Sequence, residues 1–169
     1  GLSRGKQSGS ADLHQQPRKD VAAMKATHNP TTAASVTPGD LLRMAALYLR
    51  RHGWHQGTYY PRTTDTPTPP ACAVGAIGMA CTGHPVHHWY DLDTDERITY
   101  LAAIAAFVDY LDDFAPVFHI DEDGYLLDEH ISPYSWNDEP GRTAEQVITA
   151  LENAAEEWDR LHNQEGGNR

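Results

Sequence analysis

Apolar residues recur every three to four positions in several stretches of the chain, the spacing that lays one face of a helix against a core. Thr37-Pro38-Gly39-Asp40 reads as an N-cap, a proline at the first helical position and an acid at the positive helix end. Leu41, Leu42, Met44, Ala45, Leu47, Tyr48 and Leu49 follow as a broad apolar face, and Arg50, Arg51 and His52 precede a terminating Gly53. The pattern predicts a helix over 38–52. Asp93 and Glu96 form a capping box, followed by Ile98, Leu101, Ala102, Ala105, Val108 and Leu111, which predicts a helix at about 94–112. Thr143 and Gln146 cap a third, at about 143–161, whose apolar residues are Val147, Leu151, Ala154, Ala155, Trp158 and Leu161.

The small-residue run from Ala71 (ACAVGAIGMACTG) predicts a short helix at about 71–82. Its interior glycines each cost about 1 kcal/mol against alanine, so burial at the domain centre must hold it. Trp54–Tyr60 is aromatic-rich and expected to be extended, and the prolines of 61–70 enforce a loop. Residues 116–128 (PVFHIDEDGYLLD) read as a β-hairpin about an Asp121–Gly124 turn. The expected fold is therefore an α+β domain dominated by helix: four helices and one or two small hairpins.

Charge divides the chain further. The 169 residues carry a net charge of −11, yet residues 1–37 carry +3 and residues 38–169 carry −14. Residues 1–37 are rich in Ser, Gln, Thr, Ala, Gly and Pro and lack the apolar surface that offsets backbone ordering, so a disordered or extended arm is expected. The chain opens on Gly1, and Met24 is a candidate native start with other residues ahead of it. A globular domain over 38–162 and a frayed tail over 163–169 complete the expected organisation. No apolar run approaches the roughly 18 residues of a membrane span, and no secretory h-region is visible, so the cytoplasm is the expected compartment. Residues 91–139 hold 14 acidic side chains against Arg97, which repels nucleic acid and steers basic protein partners toward it. Such a surface is also the raw material of phosphate-backbone mimicry.

Trp54-His55-Gln56-Gly57, Cys72-Ala73-Val74-Gly75-Ala76 and Trp136-Asn137-Asp138 with Gly141-Arg142-Thr143-Ala144 occur in that order. This arrangement resembles a family of uncharacterised small proteins common in actinobacteria and their phages, with the pattern W-x-Q-G, C-A-x-G-A and W-N-D-x-P-G-R-T-A. The resemblance covers about 38–160. It implies a fold and an origin and brings no activity with it.

Trp54, Gln56, Gly57, Cys72, Gly75, Trp136, Asn137, Asp138 and Thr143 all have a purely structural role open to them, and three chemistries compete with structural readings along the chain. In the first, Cys72 sits in the first turn of its helix, where the positive end lowers a thiol pKa; Gln56 donates to an oxyanion, and a histidine with Asn137 or Asp138 completes the set. That would make a thiol-dependent hydrolase, although the sequence singles out no histidine as the base. In the second, Cys81, His84, His87 and His88 gather zinc-type ligands, but their spacing matches no standard site and Pro85 interrupts them. Cys72 lies roughly 13 Å from Cys81 along one helix, too far for a shared ligand set or a disulfide. The third, an EF-hand about Gly124, fails because positions 1 and 12 would be His119 and His130. Packing is the commoner fate of a free cysteine. The sequence therefore favours a non-catalytic acidic module that binds a protein partner, itself basic or part of a larger assembly, without a cofactor; zinc is the alternative.

Overall fold

The computed structural model describes residues 35–63, 65–114, 119–127 and 131–167. Residues 1–34 of the expected arm lie outside the described residues, as do parts of the 116–128 segment and the last two residues of the tail. Helix α1 spans Pro38–His52, α2 Ala73–Thr82, α3 Thr94–Phe114, α4 Pro133–Asn137 and α5 Ala144–Gly167, with a 3-10 turn at Trp89–Asp91. The protein is predominantly helical. Among the described residues the helices number five rather than four, because Ser132 caps a one-turn helix that the short PYSWN stretch conceals from any periodicity count. The α+β expectation is corrected accordingly: among the described residues the strand content is a two-residue antiparallel ladder, His119–Ile120 against Leu126–Leu127, too short to form a layer. Trp54–Tyr60 contributes only a single parallel bridge, Trp54 to Ala71.

Local signals set the helix ends. The Thr37 hydroxyl accepts from Asp40 N–H at 3.0 Å while the Asp40 carboxylate accepts from Thr37 N–H at 3.1 Å, the two halves of a capping box. Thr143 and Gln146 repeat it at α5, at 3.0 and 3.2 Å. Helix α5 continues to Gly167, beyond its expected end at 161. An Arg160–Glu157 pair and the His162 ring stacked on Trp158 at 3.8 Å support the added turns.

Helix α2 is the central element, every residue from Ala73 to Met79 being buried. A Cβ on Gly75 would stand 2.7 Å from the Tyr59 carbonyl oxygen, and one on Gly78 would stand 3.1 Å from Val86 Cβ. Glycine is thus what lets the 59–60 and 86 backbones close over the helix. Around it pack Leu41, Leu42 and Leu49 of α1, Phe107 and Leu111 of α3, and Val147 and Leu151 of α5, all buried.

Helix α3 departs from expectation. It buries Tyr100, Ala103, Phe107 and Leu111, whereas Ile98 and Leu101 of the predicted apolar face are 63% and 44% exposed, and Ala102 and Ala105 are exposed too. Both stripes obey helical spacing, and the core selects the one that carries Phe107, whose ring meets Trp136 edge-on at 5.8 Å. Met44 and Leu47 of α1 and Leu161 of α5 are likewise exposed rather than buried.

Candidate functional site

The three sequence motifs, far apart along the chain, meet at the N-terminus of α2. The chain leaves α1 through Gly53 (φ 99°) and runs alongside Ala71 and Cys72. Backbone bonds fix this course: His55 N–H to Ala71 O at 2.9 Å, Ala71 N–H to Gly53 O at 3.1 Å and Cys72 N–H to Tyr59 O at 3.0 Å.

Asn137, only 1% exposed, closes the arrangement from α4. Its Oδ1 accepts from Trp54 Nε1 at 2.8 Å and from Ala73 N–H at 3.0 Å; its Nδ2 donates to His55 O at 3.1 Å and to Asp138 Oδ1 at 2.9 Å. A side-chain amide has two acceptor sites and two donor hydrogens, so its capacity is filled. Ala73 N–H is one of the amides that a helix start leaves without an intrahelical partner. Gln56 donates to Asn137 O at 3.1 Å and Glu139 O at 3.3 Å, and Gly57 N–H donates to Asp138 Oδ1 at 3.0 Å. Arg142 donates to Trp136 O at 2.9 Å and lies 4.1 Å from the Trp136 ring centre, tying the entry of α5 to the same cluster. The Thr143 side chain belongs to the α5 cap.

Cys72 occupies the N-cap of α2 rather than its first turn, and its Sγ accepts from Gly75 N–H at 3.3 Å. The sequence placed this thiol where a helix end lowers its pKa; burial reverses the outcome. Desolvation pushes the Cys72 thiol up to about 11, the nearby Asp138 carboxylate adds to the rise, and the amides of Gly75, Val74 and Cys72 offset only part of it. Cys72 also lines a concavity of about 340 Å³ with Thr58, Tyr59, Tyr134 and Asp138, a set that includes no histidine. Tyr59 and Tyr134 join through their hydroxyls at 3.2 Å with rings crossing at 77°. Burial raises the Tyr134 pKa. The structure therefore brings Cys72, Gln56 and Asn137 into one neighbourhood but commits Gln56 to backbone partners and Asn137 to two backbone and two side-chain partners. The tyrosines of this pocket escaped the sequence reading; the aromatic run at Trp54–Tyr60 was a trace of Tyr59, and no local pattern marked Tyr134.

The zinc candidates disperse. Cys81 donates to Glu96 O at 3.5 Å, the His84 ring faces Pro85 O at 3.3 Å, His87 meets the Tyr60 ring edge at 5.4 Å and His88 stacks on Tyr90 at 4.8 Å. Among the described residues no three His, Cys, Asp or Glu side chains converge into a metal-sized group. Burial raises the Cys81 pKa as well. Among the described residues no helix is long and apolar enough to cross a membrane.

Fold and site together define a small, predominantly helical domain knotted at the start of its central helix by three sequence-distant segments. Residues 33–157 match the Family of unknown function (DUF6197), and the chain belongs to that family. Neither a curated protein nor a solved structure matches it.

Proposed function

We propose that the chain is a non-catalytic, acidic protein-binding module that works in the cytoplasm, of actinobacterial or phage origin. The observation that carries this reading is the saturation of Asn137: its four hydrogen-bonding positions are occupied by protein groups, leaving none for a reaction. The motif residues build the domain, and recognition falls to the surface.

The surface that suits a partner is the outer face of α3. Ile98, Leu101, Ala102 and Ala105 form an exposed apolar stripe with Asp95 at one end and Asp109 and Asp113 at the other. Arg97 of the same helix holds its guanidinium 5.3 Å from the ring centre of Trp89, itself 52% exposed. A helix apolar on two sides normally has two neighbours. Charge selects the second one. A second copy packed antiparallel would set the Asp109–Asp113 end of one helix against Asp95 of the other, a repulsive pairing. An amphipathic helix with a basic rim answers both the stripe and its acidic ends.

A fluorescent amphipathic peptide of leucine and lysine tests the binding reading. It is expected to bind at low salt, to weaken about ten-fold or more as salt screens the acidic rim, and to lose binding in the Ile98→Lys variant. A peptide of equal charge without an apolar face should bind far less. Failure of the amphipathic peptide to bind, or indifference to Ile98→Lys, overturns the reading.

The catalytic alternative has its own test, because nucleophilic chemistry needs a thiolate. At pH 7.5 a thiol titrating near 11 is ionised to about 0.03%, against roughly 10% for an unperturbed cysteine. Peptide mapping after iodoacetamide treatment should show Cys72 alkylated two or more orders of magnitude more slowly than free cysteine. Alkylation faster than free cysteine would establish an activated nucleophile and end the non-catalytic reading.

A further inference from the structure

A second concavity adjoins the Cys72 pocket and shares Thr58 and Tyr59 with it, but its chemistry is opposite. It measures about 550 Å³ and lies between residues 58–62, Thr66 and Pro69 on one side and Pro85, His87 and His88 on the other. Among the described residues no Asp or Glu lines it. That is unexpected on a domain whose residues 38–169 carry 22 acidic side chains against 8 basic ones. Arg62, His87 and His88 share that lining with no described carboxylate.

The walls are held in place before any ligand arrives. Tyr60 is buried, donates to Gly75 O at 3.0 Å and accepts from Val86 N–H at 2.9 Å, so one phenol links the central helix to the histidine loop. The opposite wall is pinned by Tyr48, whose hydroxyl donates to Pro69 O at 2.6 Å. His87 rests against the Tyr60 ring, and His88 is stacked on Tyr90. A preformed site loses less ordering entropy on binding than a flexible one.

We propose that this pocket binds a small organic phosphate carrying a flat ring. Arg62 supplies the planar fork that matches phosphate oxygens. The imidazole N–H groups of His87 and His88 supply further donors. Tyr59 and Pro61, both half-buried, offer the aromatic and apolar surfaces against which a ring packs. The volume suits such a molecule, since ligand pockets run from about 300 to 1,000 Å³. The histidine-rich loop thereby gains a role that needs no metal: its imidazoles form one wall of an anion pocket. This inference uses a different surface from the protein-binding reading and stands independently of it.

Isothermal titration of the full chain with AMP, phenyl phosphate and inorganic phosphate at low salt tests it. The ring-bearing phosphates are expected to bind, and inorganic phosphate about ten-fold or more weakly. AMP binding tighter than phenyl phosphate assigns the pocket to nucleotides, and the reverse order assigns it to aryl phosphates; either order supports the proposal. Arg62→Gln should weaken binding about ten-fold and His87→Ala several-fold, with melting temperatures unchanged because both side chains are exposed. Ile98→Lys, which tests the α3 surface, should leave AMP binding intact. Absence of binding by both ring-bearing phosphates up to about 1 mM overturns the proposal. So does inorganic phosphate binding as tightly as AMP, or a folded Arg62→Gln protein that retains full affinity.

Discussion

Asn137→Ala is expected to destabilise the domain by about 3–5 kcal/mol, the larger of the two principal effects. The substitution removes little apolar contact, so the loss comes from groups left behind. Trp54 Nε1 and the Ala73 amide lose their acceptor, and the His55 carbonyl loses its donor. Each buried polar group left unpaired costs about 1–3 kcal/mol. Asp138 is exposed and recovers its bond from water. For a domain of this size the melting temperature should fall by roughly 10–20 °C. Urea unfolding followed by far-UV circular dichroism measures it, with Asp138→Ala as a comparison expected to cost much less. If Asn137→Ala melts within about 1 kcal/mol of the parent chain, the amide is not the knot described above and the case for a non-catalytic site loses its footing.

Gly75→Ala separates local preference from packing, because the two predict opposite signs. In an isolated helix the change would stabilise by about 1 kcal/mol. Here the new Cβ would stand 2.7 Å from the Tyr59 carbonyl oxygen, which is backbone and is also bonded to Cys72 N–H at 3.0 Å. Moving that carbonyl disturbs the segment that carries Gln56 and Gly57 to α4. We expect a net loss of about 2–3 kcal/mol, the scale of overpacking a filled core. Gly78→Ala is the milder comparison, its nearest neighbour being the Val86 side chain at 3.1 Å. A more stable Gly75→Ala protein would mean that the close approach over α2 is not needed.

The two variants show which parts of the fold could be read in advance. The ends of α1 and the start of α5 follow from Thr37, Asp40, Gly53, Thr143 and Gln146, because a cap is a bond between residues about three positions apart. The need of α2 for outside support was also visible in its glycines. Yet what approaches Gly75 is Tyr59, and no local pattern reveals that contact. Gln56, Cys72 and Asn137 could be singled out together, but not the division of labour among them. Asn137 is filled by partners from two other segments, while Cys72 is governed by the low-dielectric surroundings those segments create.

Helix α3 marks the boundary between the two kinds of information. Its residue spacing permits either the Ile98–Ala105 stripe or the Tyr100–Leu111 stripe to face inward, since both recur with the period of the helix. Amino-acid order alone determined that a helix forms there, where it is capped, and that acidic side chains crowd its ends. Assembly decided which side meets Trp136 and which meets solvent, through the volume of Phe107 and the shape of the space available to it. Assembly likewise placed His87 and His88 along the wall of the 550 Å³ concavity rather than beside Cys81. Local signals act over one helical turn, whereas burial, pocket shape and thiol ionisation sum contributions from segments that only the folded chain brings together.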